Sequence, residues 1–134
     1  MSDEEYMKIA IEEAKKGDFP FGAVITKNDE VVSKAHNTMV SDINSTAHAE
    51  INAIKKACKK LNSVKIPDCT LYVTASPCPM CFSAVWRAGI KRIVYGAELP
   101  DKMGIDVKTM NQMSGNKIKI EGGFLKDECL KLFS

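Results

Sequence analysis

The sequence lacks the features that would direct a protein into a membrane or out of the cell. No window reaches the roughly 18 apolar residues of a membrane span, and the acidic start, Met1 to Glu5, lacks the basic region and apolar run of a signal peptide. Arginine is scarce, and a formal net charge of +2 is too small to indicate a nucleic-acid partner by itself. These absences predict a cytoplasmic protein with no membrane partner.

Cysteine is present in the wrong number and spacing for a disulfide framework. The chain has 5 Cys, an odd number, and two of them form a single Cys-x-x-Cys at Cys78 and Cys81. Without a secretion signal, this pattern indicates metal binding or redox chemistry. The length of 134 residues and the 45% apolar content predict one domain, residues 1–134, around one ordinary core.

Apolar periodicity and turn residues predict an alternation of helices and strands. The predicted elements are a helix from Ser2 to Gly17, an antiparallel hairpin of strands 21–25 and 31–35, a loop 36–45, a helix 46–62, a strand 70–74, a helix 81–89, a strand 92–96, a long connection 97–116 with a short helical piece at 107–110, an edge strand 117–120 and a last helix 125–132. This order predicts a three-layer α/β/α sandwich, with a mixed five-stranded sheet between helices on both faces.

Two short motifs carry the candidate chemistry. A His-x-Glu motif at His48 and Glu50 precedes the Pro-Cys-x-x-Cys motif of Cys78 and Cys81 by about thirty residues. One imidazole and two thiolates suit zinc and leave one coordination position for water. Glu50 falls on the apolar side of its predicted helix, where burial of a carboxylate is costly unless it has a task or a partner. We therefore expect Glu50 to be functional.

Other interpretations of the cysteine pair stay open at this level. A Cys-x-x-Cys that follows a strand and begins a helix is also typical of thioredoxin-like redox sites, although that class leaves His48 and Glu50 unexplained. A second alternative is a structural zinc site, or a zinc-stabilised interaction protein without activity. A structural site needs a fourth protein ligand. The residues that could supply one are His36, Cys58, Cys69 and Cys129.

The paired motifs resemble those of the cytidine deaminase-like superfamily, the zinc-dependent nucleobase and nucleoside deaminases. The resemblance extends from Pro20-Phe21-Gly22-Ala23 through both motifs to Gly122-Gly123-Phe124. It implies a zinc cofactor that activates a water molecule for the hydrolytic release of ammonia. The resemblance assigns zinc ligation to His48, Cys78 and Cys81.

The resemblance also implies roles for two further residues and an oligomeric state. It makes Glu50 the group that moves protons, and Asn37, eleven residues before the histidine, a hydrogen-bonding partner of the substrate base. Asn is also a common turn residue, so a plain turn at Asn37 is the alternative. The superfamily resemblance implies a homodimer or a larger assembly.

Guanine is the leading substrate expectation. The segments around Phe21 and Tyr95 and the Gly-x-Asp at Asp106 look most like bacterial guanine deaminases. This likeness makes Phe21 a candidate substrate contact and Asp106 a candidate base contact or proton relay. Ser76 departs from that pattern, because guanine and tRNA adenosine deaminases usually have Glu there. Serine at this position resembles yeast-type cytosine deaminases, which makes cytosine the alternative base and Ser76 a candidate substrate contact.

A tRNA adenosine deaminase is the remaining expectation, and the scarcity of arginine counts against it. Lysines cluster on one side of the helix that follows the histidine motif, at positions 55, 56, 59 and 60. Such a cluster is typical of a solvated helix face, and a track for phosphate groups is the alternative.

Overall fold

The computed structural model describes residues 1–99 and 103–134, so a short part of the predicted long connection, residues 100–102, lies outside the described residues. The strands are β1 (Gly22–Lys27), β2 (Glu30–His36), β3 (Thr70–Ala75), β4 (Arg92–Ala97) and β5 (Lys119–Glu121). The helices are α1 (Asp3–Ala14), α2 (Ala49–Leu61), α3 (Pro79–Ala88), α4 (Val107–Met113) and α5 (Lys126–Leu130), followed by a 3-10 turn (Lys131–Phe133). No helix in the described ranges is both long and apolar enough to span a bilayer.

The five strands form one mixed sheet, as predicted, and their order in it is β2-β1-β3-β4-β5. β1 pairs antiparallel with β2 and with β3, whereas β3, β4 and β5 run parallel. Asn28 and Asp29 both have positive φ angles, 51° and 61°. Two positive φ angles in a two-residue loop match the twist of the flanking strands. This turn therefore sets the predicted β1–β2 hairpin.

Alternate side chains of the strands face two separate apolar layers. Val24 and Val94 pack against α1 and α5 on one face, and Ile25 and Ile93 pack against α2 and α3 on the other. Gly22 lets α1 approach the sheet, because a Cβ atom there would overlap the backbone oxygen of Ala10. The result is the predicted α/β/α sandwich, with helices on both faces of a mixed five-stranded sheet.

Helix α2 begins at Ala49 and not at Thr46, where the sequence predicts its start. The Thr46 hydroxyl and backbone N–H both donate to Asn44 Oδ1, at 2.8 and 3.0 Å, so the hydroxyl makes a local turn before the helix begins. The deeply buried side of α2 consists of alanines and Glu50, while the larger apolar residues of this helix are only half buried. Small residues on the buried side let α2 lie close to the sheet.

The remaining boundaries differ from the sequence prediction by a few residues at helix and strand ends. Helix α1 stops at Ala14, three residues before Gly17, and β5 lies at 119–121. The last helix is divided into α5 and the 3-10 turn. Asn62 ends α2 in the left-handed conformation, with φ 50°, and Gly89 ends α3 with φ 78°. Both stop signals therefore act at the predicted positions.

Candidate metal centre and substrate pocket

The candidate site lies where β3 and β4 end and two helices begin. His48 is the N-cap residue of α2, and Cys78 is the N-cap residue of α3. Pro79 occupies the first turn of α3, where its fixed φ angle suits a helix start and its missing N–H costs nothing. Cys81 follows in the same turn and is fully buried. Both helix N-termini therefore direct partial positive charge towards thiolate groups.

The three predicted ligands converge. His48 Nδ1 lies 3.4 Å from Cys81 Sγ and 3.7 Å from Cys78 Sγ, and all three ligand atoms lie within 4.8 Å of one another. Tetrahedral zinc with Zn–N and Zn–S bonds near 2.1 and 2.3 Å places such ligand atoms about 3.6 Å apart. The donor set and its spacing therefore fit zinc, and the three side chains are positioned to bind it.

The described residues provide three protein ligands at this centre and no fourth. Among residues 1–99 and 103–134, no other group of three or more His, Cys, Asp or Glu side chains has metal-ligand spacing. None of the four candidates for a fourth ligand joins the cluster; His36, for example, bonds to Glu13 at 3.1 Å. Catalytic zinc sites keep a position open for water, whereas structural sites are closed by four protein ligands.

The two cysteines differ in protonation, because the pKa of Cys78 is lowered and that of Cys81 is raised. A hydrogen bond from Cys81 stabilises the Cys78 thiolate and, with His48 contributing, lowers the pKa of Cys78 to about 4. The same hydrogen bond raises the pKa of Cys81, which is the donor, and burial adds to that rise. One thiolate is therefore present at neutral pH, and a bound divalent cation would favour the second.

Glu50 lies one residue inside α2 and is 5% exposed. The pKa of its carboxyl group is raised to about 7, mainly because the group is buried. The negative charge of Cys78 raises this pKa further. His48 and a hydrogen bond with Cys81 act in the opposite direction. A carboxyl group in this environment can both accept and return a proton near neutral pH. A bound cation would lower the pKa, because it favours the anion.

Asn37 follows directly after β2 and is 3% exposed. Its Oδ1 accepts a hydrogen bond from the backbone N–H of Met39 at 3.0 Å, and its backbone oxygen accepts one from Asp18 at 2.9 Å. These contacts hold the first turn of the loop that leads to His48. Asn37 thus makes a turn contact, as expected if it is a turn residue. Its Nδ2 atom donates no hydrogen bond to the described residues.

Asn52 was not identified from the sequence. Its Nδ2 group donates to the backbone oxygen of His36 and to Thr38 Oγ1, both at 2.9 Å, and lies 3.4 Å from the backbone oxygen of Ala47. Asn52 therefore ties both ends of the loop to α2, one helical turn after His48. A polar residue four positions after a candidate ligand was the available signal.

Two of the three candidate substrate contacts, Ser76 and Asp106, share one cavity, and the third, Phe21, lies elsewhere. Ser76 and Asp106 line a cavity of about 320 Å³ between the ends of β3 and β4 and the start of α4. Ser76 Oγ donates to the Leu99 backbone oxygen at 3.2 Å and accepts from the Leu99 N–H at 3.1 Å. Asp106 caps α4 through a 2.7 Å hydrogen bond from Thr109 N. Both side chains therefore already hold pocket walls in place.

Phe21 is not among the residues that line this cavity. Its ring packs edge-on against Phe133 of the 3-10 turn, with ring centroids 5.5 Å apart and an interplanar angle of 62°. Trp86 lies outside the core on α3 and is 42% exposed. The Nζ atom of Lys117 lies 5.9 Å from the centroid of the Trp86 ring.

Comparison with known proteins gives the family. Residues 1–97 match the family described as the cytidine and deoxycytidylate deaminase zinc-binding region. The chain is 41% identical to a tRNA-specific adenosine deaminase of Bacillus subtilis over 135 residues, which cover 95% of this chain and 83% of that protein. It is 40% identical to a guanine deaminase of the same organism over 106 residues, covering 75% and 68%.

A solved structure from a study of tRNA:A34 deaminases and A-to-I editing superimposes with a TM-score of 0.87 at 31% identity, covering 96% of this chain and 98% of that one. The fold, the three converging ligands and the family match agree. The chain therefore belongs to the zinc-binding cytidine and deoxycytidylate deaminase family.

Proposed function

We propose that this protein is a hydrolytic adenosine deaminase that acts on RNA, with tRNA as its substrate class. The main support for this proposal is the share of the chain that aligns with each type of deaminase. The tRNA-specific adenosine deaminase of Bacillus subtilis aligns with 95% of the chain, whereas the guanine deaminase aligns with 75%. The comparison therefore favours the alternative that the sequence ranked below guanine.

The proposed reaction replaces an exocyclic amine on the base with oxygen and releases ammonia. Zinc, when held by His48, Cys78 and Cys81, supplies a Lewis acid that lowers the pKa of a water molecule towards ~7. Glu50 accepts a proton from the attacking water and passes it to the adjacent ring nitrogen, where negative charge develops. As the new C=O bond forms and the C–N bond breaks, Glu50 takes the remaining proton from the added hydroxyl group and transfers it to the amine, which leaves as ammonia.

Burial of Glu50 supports this role. The carboxyl group lies one residue inside α2, immediately after the candidate ligand at its N-cap, and it contacts Cys81 through a hydrogen bond. A fixed carboxyl group beside the reacting atoms moves protons without reorganising solvent. Within the same proposal, Asn37 hydrogen-bonds the base through its amide nitrogen, and Asp106, Ser76 and Phe21 shape the surroundings of the nucleotide.

Guanine deamination is the second candidate, and cytosine deamination is the third. Guanine is supported by 40% identity to a guanine deaminase and by the place of Asp106 in the wall of the 320 Å³ cavity. Cytosine is supported only by the likeness at Ser76. A zinc-stabilised interaction protein without activity is the remaining alternative, and the test below addresses it directly.

The test is a panel assay for ammonia release with zinc-loaded protein. The substrates are an RNA anticodon stem-loop with adenosine in its loop, guanine, cytosine, and adenine with its nucleoside. Glu50→Gln, which keeps the size of the side chain, is the control. We expect ammonia from the stem-loop, and at least about a hundredfold loss in the variant. Turnover of guanine alone would replace the proposal with the second candidate. Inactivity across the panel would favour the interaction protein.

We further propose that two copies of the chain associate. Trp86 and Met113 are exposed and line a cavity of about 370 Å³ between α3 and α4, together with Phe82 and Met110. Exposed apolar side chains grouped in this way often mark an interaction surface. Light scattering on the purified, zinc-loaded protein should give about twice the 14.8 kDa mass of one chain. A mass of one chain at micromolar concentration would contradict the dimer.

A further inference from the structure

Helix α2 exposes positive charge that the described residues do not neutralise. We define the α2 lysine face as Lys55, Lys56, Lys59 and Lys60, all of them exposed. None of the four forms an ion pair with any carboxylate of the described residues. The acidic residue of this helix, Glu50, is buried at the candidate site. The face therefore carries a formal charge of +4, although the whole chain carries +2.

The lysines at helix α1, unlike those of the α2 lysine face, form ion pairs with acidic residues. Each lysine of and just after α1 pairs with a glutamate three or four residues earlier, with N–O distances of 3.3, 3.2 and 2.7 Å. The pairs are Lys8–Glu4, Lys15–Glu12 and Lys16–Glu13. A solvated helix face in this chain is thus balanced by opposite charges, and the α2 lysine face is not.

The unbalanced face is unfavourable for the isolated protein. Lys55 and Lys59 are four residues apart, as are Lys56 and Lys60, and like charges at this spacing repel each other on a helix. Lys56 has one contact that offsets part of this cost, a 3.2 Å hydrogen bond from Nζ to the backbone oxygen of Lys34 at the edge of β2. The other three lysines make no such contact with the described residues. An anionic partner would remove the repulsion.

The face begins close to the candidate metal centre. Lys55 and Lys59 lie 7 and 11 residues after His48, which corresponds to about 10 and 16 Å along the helix axis. Lys55, Lys56 and Lys59 also form one wall of a cavity of about 310 Å³. Thr38 and Asp42 also line this cavity, and Thr38 Oγ1 donates to the Asp42 carboxylate at 2.7 Å. Asp42 is the single acidic residue among the lining residues.

We propose that the α2 lysine face binds phosphate groups of the RNA strand that flanks the target nucleoside. The inference that the anion is RNA rests on the proposed function. A row of cations that leads away from the centre fits a polyanion that is fixed at one point by its reacting base. Such contacts bind the backbone without reading sequence, and each adds to the salt dependence of binding.

The test compares two double variants of the full-length, zinc-loaded protein. Lys55→Gln with Lys59→Gln removes two charges from the α2 lysine face, and Lys8→Gln with Lys15→Gln removes two from α1 as a matched control. All four side chains are exposed, so both variants should keep the fold and the zinc content of the original protein. The binding of a fluorescent RNA stem-loop is measured by anisotropy between 50 and 300 mM NaCl.

Two lost phosphate contacts should reduce the salt slope, the change of log K with log salt concentration, by about 1.4, since each contact to a single strand contributes about 0.7. This change corresponds to binding on the order of 25-fold weaker at 0.1 M salt. For the deamination reaction, KM should rise by a similar factor while kcat stays the same. The α1 control should bind like the original protein.

The outcomes separate this proposal from the proposed function. Loss of RNA binding in the α2 variant, together with no deamination of the stem-loop by the original protein, would support the lysine face and refute the substrate. Deamination of the stem-loop by the original protein, with unchanged RNA binding and KM in the α2 variant, would support RNA as the substrate and refute the lysine-face proposal. Absence of RNA binding by the original protein, or an equal loss in both variants, would overturn the lysine-face proposal.

Discussion

Replacement of Arg92 by leucine should destabilise the protein by breaking a network that joins four elements. Arg92 Nη2 lies 2.8 Å from Asp3 Oδ2 at the start of α1 and 2.8 Å from Glu121 Oε2 on β5. Its Nη1 lies 3.3 Å from the hydroxyl of Tyr72 on β3, and that hydroxyl also donates to Asp3. The network lies where β3 and β4 begin, at the end of these strands opposite to the metal centre.

The expected loss is moderate because the charged groups are partly exposed. The side chains of Arg92, Asp3 and Glu121 are 29%, 38% and 34% exposed. Exposed ion pairs contribute about 0.2–1 kcal/mol each, so two pairs and their hydrogen bonds contribute about 1–2 kcal/mol. For a chain of this length, such a loss lowers the melting temperature by about 5 °C. Deamination measured well below the melting temperature should be unchanged.

The pH dependence of the unfolding free energy tests whether the ion pairs of Arg92 cause the difference in stability. Hydrogen bonds from Arg92 lower the pKa of Asp3 and of Glu121 from their usual values of 3.8 and 4.5. A carboxyl group with a lowered pKa in the folded state stabilises the fold above its unfolded pKa and loses that contribution as the pH falls through the folded value. The difference between the original protein and Arg92→Leu should therefore be complete at pH 7 and should shrink below about pH 4.

The assay is urea unfolding, followed by circular dichroism from pH 7 to pH 3.5 in low salt. Arg87→Leu is the matched control, because Arg87 is exposed on α3 and its side chain forms no ion pair with the described residues. The control should change the free energy of unfolding by less than about 0.5 kcal/mol. An equal effect of the two substitutions, or a difference that stays constant down to pH 3.5, would refute the network as the source of stability.

Two other substitutions test the packing of α1 and the metal centre. Gly22→Ala should lower the free energy of unfolding by about 1–3 kcal/mol, because the added Cβ meets the backbone of Ala10 in α1; an unchanged urea midpoint would contradict this close approach. We expect a chelator to lower the melting temperature of the original protein. Cys81→Ala should abolish stoichiometric zinc binding in metal analysis and should make the melting temperature insensitive to the chelator. Cys58→Ala, outside the metal cluster, should keep one zinc ion per chain, and equal zinc loss in both variants would refute the ligand assignment.

The sequence was sufficient to locate the candidate metal centre, because its three candidate ligands come from two short motifs. A motif that includes a helix start fixes local geometry within a few residues, so His48, Cys78 and Cys81 converge once the two helices pack on the same sheet face. The burial of Glu50 was predictable for the same reason, from its place on the apolar side of α2. The β1–β2 hairpin and the mixed five-stranded sheet were predictable from the turn residues and the alternation of strands with helices.

Contacts between distant parts of the chain were not predictable in this way. Asn52 holds the loop before His48 through backbone oxygens that a sequence pattern does not reveal, and Lys56 contacts the edge of β2 by the same kind of bond. Threonine is a residue type that commonly caps helices, yet the hydrogen bonds of Thr46 with Asn44 compete with that role. The substrate was also beyond prediction, since pocket shape depends on loops whose positions are set by such contacts.

The most direct test of RNA adenosine deamination by this protein is the conversion of adenosine to inosine in an RNA anticodon stem-loop. The zinc-loaded protein and Glu50→Gln are compared by mass spectrometry of the digested RNA. We expect inosine at the loop adenosine with the original protein, and a rate at least about a hundredfold lower in the variant at equal zinc content. Inosine formed at the same rate by both proteins would contradict the role of Glu50. Ammonia released from free guanine, with the RNA left unchanged, would contradict RNA as the substrate.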